Sequence, residues 1–506
     1  FDVVSGQANT IAMTLSGIPN RILVLPASGS AIPKGNGGFD LIGIGAIKWI
    51  VEAMDADSNI ILGAGAPTFT VSAPHGSFTV ALTQPTATAP NTFYIQPPAT
   101  YKSGSTSIDV QASYSGEADG CAQNGAVCDT GFTVDMQQLF AVASQTTIKI
   151  LKLGSLTTLA TLAPSTTVNA IAFDSSGNLY ASTCGANCGG SGPDAILKYA
   201  APFSGTPVSI TNGIDHPEGI LIGSNGELYV ANAGTLDAPP GSDSIAIFSL
   251  PVTAASTATK TYTGTLGAPL ALATDSQNDL FVSNLSGNSG NGTVVGFQSS
   301  HASGNAAAEY GPIVADIALA GSGVQSISLD SSANLYVANP SAHQVTEYFG
   351  YNVTSPGAAY TCNSIATCGD PHGLSNPTVF TACNNCGAGT FVPFAIASLP
   401  NDLSFGPCDQ SGPGNFSDYC PFLVADNSTN NAVYWYNGFT QTSGGSLDQS
   451  IPTTSAPRTL SLDPSNNLYI GTASSVLEAT AGPATFNPPQ TVLSGFTSPV
   501  ETALLP

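Results

Sequence analysis

Positive charge is what this sequence has least of: 9 Lys and Arg residues stand against 32 Asp and Glu in 506 residues, a net charge of −23. A chain so acidic offers no general basic patch, which excludes nucleic acid and anionic lipid as electrostatic partners. Charge of either sign is scarce, at 8% of residues, whereas 42% are hydrophobic. A core can therefore be buried, and the composition is not that of a disordered chain. Apolar runs are short; no window approaches 18 uninterrupted residues, so no transmembrane helix is expected. The basic and apolar regions of a signal peptide are missing, and a start at Phe1 fits a processed N-terminus or a trimmed chain. Helix formers other than Ala are few, while Gly, Pro, Thr, Val and Ser abound, which favours short strands and many turns. The local signatures of catalysis are missing as well: there is no G-x-S-x-G elbow, no H-E-x-x-H and no P-loop.

What is present sorts first by cysteine. The ten cysteines form five close pairs, Cys121/Cys128, Cys184/Cys188, Cys362/Cys368, Cys383/Cys386 and Cys408/Cys420, each in a Gly-, Asn- or Ser-rich stretch. Reduced cytosolic cysteines have no reason to sort this way, so five local disulfides and an oxidising, extracellular compartment are expected. Loops this short gain only about 2–3 kcal/mol each from a bridge, so the bridges tie down loops rather than domains. Cys362, Cys368, Cys383 and Cys386 also have a spacing that a four-thiolate zinc site would use, although three further pairs lack any metal-like partner.

A six-residue turn recurs along the chain: DSSGNL (174–179), GSNGEL (223–228), DSQNDL (275–280), DSSANL (330–335) and DPSNNL (463–468). Each follows an alternating apolar strand and precedes a second one, as in LYAST, LYVANA, LFVSNL, LYVANP and LYIGT. An Asp that opens a turn accepts a backbone N–H, and the Gly or Asn at its end tolerates positive φ, so the unit is a hairpin. The closing leucines at 179, 228, 280 and 335 are spaced by 49, 52 and 55 residues, and a degenerate copy at NDLSF (401–405) and FLVADN (422–427) splits the longer gap to 468. Third strands such as SIAIFSL (244–250) and AVYWYN (432–437) follow, with weaker fourth strands. Four antiparallel strands per repeat of about 50 residues make a propeller blade. Residues 139–153 read as second and third strands without a first, and residues 498–505 as a first strand without followers. Together they complete one more blade, giving seven, and closure by both termini protects the sheet edges.

The turn D-x-x-G-N-L-Y-V-A with its flanking strands resembles the NHL and YVTN families of β-propellers over residues 137–506. That resemblance implies the fold; such families include binding scaffolds, lyases and lactonases, so it implies no single activity. Residues 1–136 lack the repeat and show short alternating strands between Gly/Pro turns, as in a β-sandwich. Within them IVEAMDADSNIILG resembles the strand–turn–strand of bacterial surface immunoglobulin-like domains. The expected fold class is thus all-β: an immunoglobulin-like β-sandwich over residues 1–136 and a β-propeller over 137–506, with a Cys-rich insertion at about 350–420.

Candidate chemistry is sparse. His216-Pro217-Glu218-Gly219 is the most site-like segment, because Glu218 starts an innermost strand and could hold calcium at the channel of a lactonase-type propeller. Asn232, Asn284, Asn339 and Asp426 end second strands, and recurrence at equivalent turns reads as structural capping. Asp55, Asp57 and Asn59 have the oxygen-rich spacing of a calcium loop's beginning, yet lack its central Gly and closing acid, and a polar hairpin turn explains them equally well. The five histidines show no pairwise metal spacing, and no other cofactor is called for. Tyr434-Trp435-Tyr436 alternates along a strand, so its faces are expected to pack between blades. These features lead to an expected extracellular structural or adhesive protein, a cell-surface or matrix component whose partner is itself, as a homo-oligomer or filament subunit joined through strand-like residues 1–17. The alternatives are a propeller enzyme of lactonase or lyase type and a carbohydrate- or peptide-binding propeller.

Overall fold

The computed structural model describes residues 20–505 apart from 28–29, 36, 44, 62–66, 74–77, 84–90, 98–104, 114–127, 186–191, 235–242, 265, 286–291, 307–309, 316–323, 331–334, 341–342, 349–377, 381–390, 399–400, 403–405, 408–421, 438–445, 483–484 and 497–499. The expected strand at residues 10–15 and most of the Cys-rich insertion lie outside the described residues. Every regular element among those described is a β-strand. The chain divides into two units, Phe1–Gln138 with Ser175–Gly177, and Leu139–Asp174 with Asn178–Pro506.

In the first unit, one sheet runs Arg21–Pro26, Ile47–Met54, Asn91–Gln96, Thr79–Thr83, with Ile60–Ile61 hydrogen-bonded to Ile47–Met54. A second sheet runs Ala31–Pro33, Phe39–Ile42, Cys128–Gln137, Ser105–Ser113, Thr68–Ser72. Burial along Ile47–Met54 alternates strictly, as expected of a strand with one face on a core. Trp49 from that inner face stacks on Phe93 and meets Phe39 of the second sheet edge-on at 4.8 Å, so aromatic contacts join the two layers.

The second unit repeats one motif. Seven antiparallel four-stranded sheets are found among its described residues, one of them carrying a fifth, parallel strand at Gly304–Ala306. In six of them chain order and spatial order agree, beginning with the first strands Thr167–Phe173, Pro217–Ile222, Pro269–Thr274, Ser326–Leu329, Pro393–Ser398 and Pro457–Leu462. In the seventh, Val500–Leu504 takes the first position and pairs with Leu139–Ser144, from Phe140 opposite Leu504 to Ser144 opposite Val500. The first strand of each sheet lies beside that of the next, and Val500–Leu504 lies between Pro457–Leu462 and Thr167–Phe173.

The recurring turn is built as its residues require. Asp174 Oδ1 accepts the Asn178 N–H at 2.9 Å, and Asp275 and Asp463 accept from the residues two and four positions on. Second strands such as Leu179–Cys184, Leu280–Asn284 and Phe422–Asp426 are buried along their whole length. They pack against a neighbouring sheet on both faces, which is why they read as continuous apolar runs rather than alternating ones. Tyr229 and Ala231 pack with Leu280 and Val282 of the next sheet, and Leu423 and Trp435 with Leu468 and Ile470. Tyr434 and Tyr436 meanwhile face the preceding sheet at Tyr336. The last sheet packs on the one that contains the chain's terminal strand, Tyr469 and Val476 meeting Phe140, Val142 and Leu151.

Because that strand completes its sheet, removing residues 497–506 exposes the ladder of Leu139–Ser144 together with Phe140 and Val142. The truncated chain is expected to melt at least about 5 °C lower by differential scanning calorimetry. An unchanged transition would show that the terminal strand carries no stability.

Candidate active site in the ring of innermost strands

The innermost strands differ from their neighbours in exposure. Pro217–Ile222, Pro269–Thr274 and Pro457–Leu462 are buried at the leading proline and half-buried beyond it, whereas the second strands beside them are buried throughout. These strands therefore line a water-accessible space. They are almost free of charge: across all seven, the only ionisable side chains are Glu218, Arg458 and Glu501.

Glu218 sits where its strand's pairing shifts register between Pro217 and Ile220. A bulge of this kind frees backbone groups and re-aims a side chain. Neighbouring side chains hold it: Asn169 Nδ2 donates to the Pro217 carbonyl at 3.0 Å and Ser182 Oγ to the Glu218 carbonyl at 3.1 Å. A Cβ at Gly219 would run into the Leu270 carbonyl of the next innermost strand, so only glycine allows this approach. The Glu218 carboxylate lies 3.0 Å from His216 Nε2, and the His216 side chain is 7% exposed against 28% for Glu218. The backbone N–H of His216 in turn donates to Asp194 Oδ2 at 2.8 Å. The left-handed backbone of His216 (φ 47°) recurs at Ala268 (φ 48°), also just before a strand-leading proline, so it belongs to the strand entry and not to the chemistry.

Glu501 is on the strand that completes its sheet, opposite Ala143, in a ladder with no register shift. Burial pushes its carboxyl up from the usual 4.5 to about 8; the Arg458 guanidinium opposes that rise and the Glu218 charge adds to it. Arg458 Nε is buried without a hydrogen-bond partner. The strands bearing Arg458 and Glu501 are joined by hydroxyls, Ser461 Oγ and Thr502 Oγ1 lying 2.8 Å apart and Thr502 Oγ1 donating to Thr459 Oγ1 at 3.2 Å. At neutral pH the Glu501 carboxyl is thus held protonated, within electrostatic reach of Arg458 and Glu218.

Two solved structures share this architecture. The periplasmic gluconolactonase of Pseudomonas aeruginosa is 13% identical and matches 73% of this chain and 100% of its own, with a TM-score of 0.50. A putative 6-phosphogluconolactonase from Bacteroides fragilis is 12% identical and matches 73% of this chain and 98% of its own, also with a TM-score of 0.50. The fold is a β-propeller. No protein-family model and no curated protein matches the chain. The expectation of a structural, adhesive or filament-forming role is corrected by these neighbours, both of which are named as lactonases. It rested on the lack of a local motif, and residues brought together from distant strands leave none.

Of the residues singled out in the sequence, Glu218 belongs to the trio; Arg458 and Glu501 were missed. The signal was available, since Pro457-Arg458 and Pro499-Val500-Glu501 are the other two places where a strand-opening proline is followed within two residues by a charge, as in Pro217-Glu218. The remaining candidates serve the backbone. Asn232 Oδ1 accepts the Asp215 N–H, Asn284 Oδ1 the Gly267 N–H, and Asp426 Oδ1 the Val392 and Ser428 N–H groups. At Asp55, Asp57 and Asn59 the structure shows a capped hairpin turn: Asp55 Oδ1 accepts the Asp57 and Asn59 N–H groups, and Asn59 Nδ2 donates to the same carboxylate. Among the described residues no three His, Cys, Asp or Glu side chains are grouped to hold a metal, Glu218 included. Cys184 is buried and disulfide-bonded. The side chains of Cys121, Cys128, Cys188, Cys362, Cys368, Cys383, Cys386, Cys408 and Cys420 lie outside the described residues. No helix of the described residues is long and apolar enough to cross a membrane.

The raised Glu501 has a cost with a definite sign. Below pH 4.5 its carboxyl is protonated folded or unfolded; between 4.5 and about 8 the unfolded chain releases the proton and the propeller does not, so stability falls across that window. Glu501→Gln keeps the shape and removes the titration. Calorimetry should find the variant gaining on the wild type between pH 5 and pH 8.5. A constant difference between them would contradict the burial of this carboxyl.

Proposed function

We propose that the chain is a seven-bladed propeller enzyme that hydrolyses lactones within its ring of innermost strands. The observation that carries this reading is the Glu501 carboxyl, raised to about 8 by burial, with Arg458 and Glu218 acting on it, as part of the only ionisable trio on those strands. The names of the two fold neighbours support the same reaction class. Seven blades are the reading that the seven sheets support, Val500–Leu504 completing the sheet of Leu139–Ser144. The first unit, two sheets joined through Trp49, is read as immunoglobulin-like, and paired cysteines together with a periplasmic neighbour favour export to an oxidising compartment.

In the proposed reaction Glu218, positioned by His216, takes a proton from water as the oxygen adds to the lactone carbonyl carbon. Arg458 stabilises the negative charge that develops on the carbonyl oxygen. As the tetrahedral species collapses, the ring C–O bond breaks and Glu501 gives its proton to the departing alkoxide. The product is the open hydroxy acid, and solvent returns the proton from Glu218 to Glu501.

Since Glu501 must be protonated to act, kcat should fall as pH rises through about 8. Glu501→Gln should lower kcat by roughly 10²-fold and abolish that alkaline limb, and Glu218→Gln should cost a similar factor. Lactone hydrolysis followed in a pH-stat tests both. Full activity in the two variants, or an alkaline limb that survives Glu501→Gln, would defeat the assignment.

A further inference from the structure

We infer that the site accepts uncharged, hydroxyl-rich lactones and rejects phosphorylated or otherwise anionic ones. This rests on the lactonase reading above and sharpens it to a substrate class. The second unit contains five cationic residues, Lys149, Lys152, Lys198, Lys260 and Arg458. All five are on strands: Lys149 and Lys152 in Thr147–Lys152, Lys198 in Ala195–Tyr199, Lys260 in Lys260–Gly264, and Arg458 in Pro457–Leu462. No connecting segment of this unit, on either side of the ring, contains a Lys or Arg. The lysine-bearing strands occupy the third or fourth position of their sheets, away from the innermost strands. Three of their ammonium groups are engaged there, Lys149 over the Phe496 ring, Lys198 over Tyr180 and Lys260 on the Ser299 carbonyl.

Arg458 is therefore the single Lys or Arg on an innermost strand, and it and Glu218 both act on the Glu501 carboxyl. A phosphate carries between one and two negative charges at neutral pH and is held by clustered Arg or Lys side chains or by a helix N-terminus. The described residues contain no helix, and a lone guanidinium makes no such cluster. What the walls offer instead are neutral hydrogen-bonding groups: Asn169, Thr459, Ser461 and Thr502 all sit on innermost strands flanking the trio. Such groups match the hydroxyls of a sugar lactone.

The test compares D-gluconolactone with its 6-phosphate on the full chain, substrates that differ only in the anion. Hydrolysis of both is measured in parallel with Glu501→Gln as background. The unphosphorylated lactone should give a kcat/KM at least about tenfold higher, the anion meeting no cluster of positive charge. Gln325→Lys, just ahead of the innermost strand Ser326–Leu329, adds a cation without touching the trio and should narrow that gap by roughly tenfold. Glu501-dependent hydrolysis that favours the phosphorylated lactone, or treats both alike, overturns this inference and leaves the lactonase reading standing. A gap that Gln325→Lys leaves unchanged also overturns it, since charge would then not be what discriminates. Hydrolysis of neither lactone above the Glu501→Gln background overturns the lactonase reading, and this inference with it.

Discussion

The propeller depends on one pairing, that of Val500–Leu504 with Leu139–Ser144. Neighbouring innermost strands share no backbone ladder among the described residues and are linked only by bonds through side chains such as Asn169, Ser461 and Thr502, so the ring is held by side-chain contacts between sheets. Apolar clusters do this work from one sheet to its neighbour, and the last of them joins Tyr469 to Phe140 and Val142. Phe140 and Val142 belong to a strand that would be an open edge if the terminal strand were absent. An open edge beside a chain with so few charged guards would invite pairing with other chains. Completing the sheet and sealing the ring are therefore the same event.

That strand also carries Glu501, so the acid of the site stands where the architecture is most constrained. The contrast with Glu218 is informative. Glu501 lies in an unbroken ladder whose backbone fixes its direction, whereas Glu218 lies in a register shift and needs Asn169, Ser182 and the absence of a side chain at Gly219 to hold it. Two acidic side chains with the same chemistry are thus given different environments. Both side chains are partly exposed; the Glu501 carboxyl is raised chiefly by desolvation, whereas Glu218 lies 3.0 Å from His216 Nε2. The difference between the two carboxyl groups thus begins in backbone geometry.

The legible part of the molecule is the part written locally. An Asp that caps its own turn leaves a six-residue signature, and five copies of it gave the hairpins, their spacing and the buried second strands without further information. Asn232, Asn284 and Asp426 were legible for the same reason, since capping recurs once per sheet and its bonds reach only a short distance along the backbone. The site was legible only at Glu218. Its partners come from strands more than 200 residues away in sequence, brought beside it by closure of the ring, and no spacing rule connects them. Treating the lack of a local motif as a lack of chemistry led to the structural and adhesive expectation that the fold neighbours correct.

Scarcity of charge, which first suggested an inert surface protein, acquires another meaning once the strands are in position. In a chain that is 8% charged, only three ionisable residues fall within seven otherwise neutral innermost strands. Burial is the main influence on the Glu501 carboxyl, with the Arg458 guanidinium opposing it and the Glu218 charge adding to it. The sparseness that first suggested inertness is thus what leaves a desolvated carboxyl with so few charges to set its proton affinity.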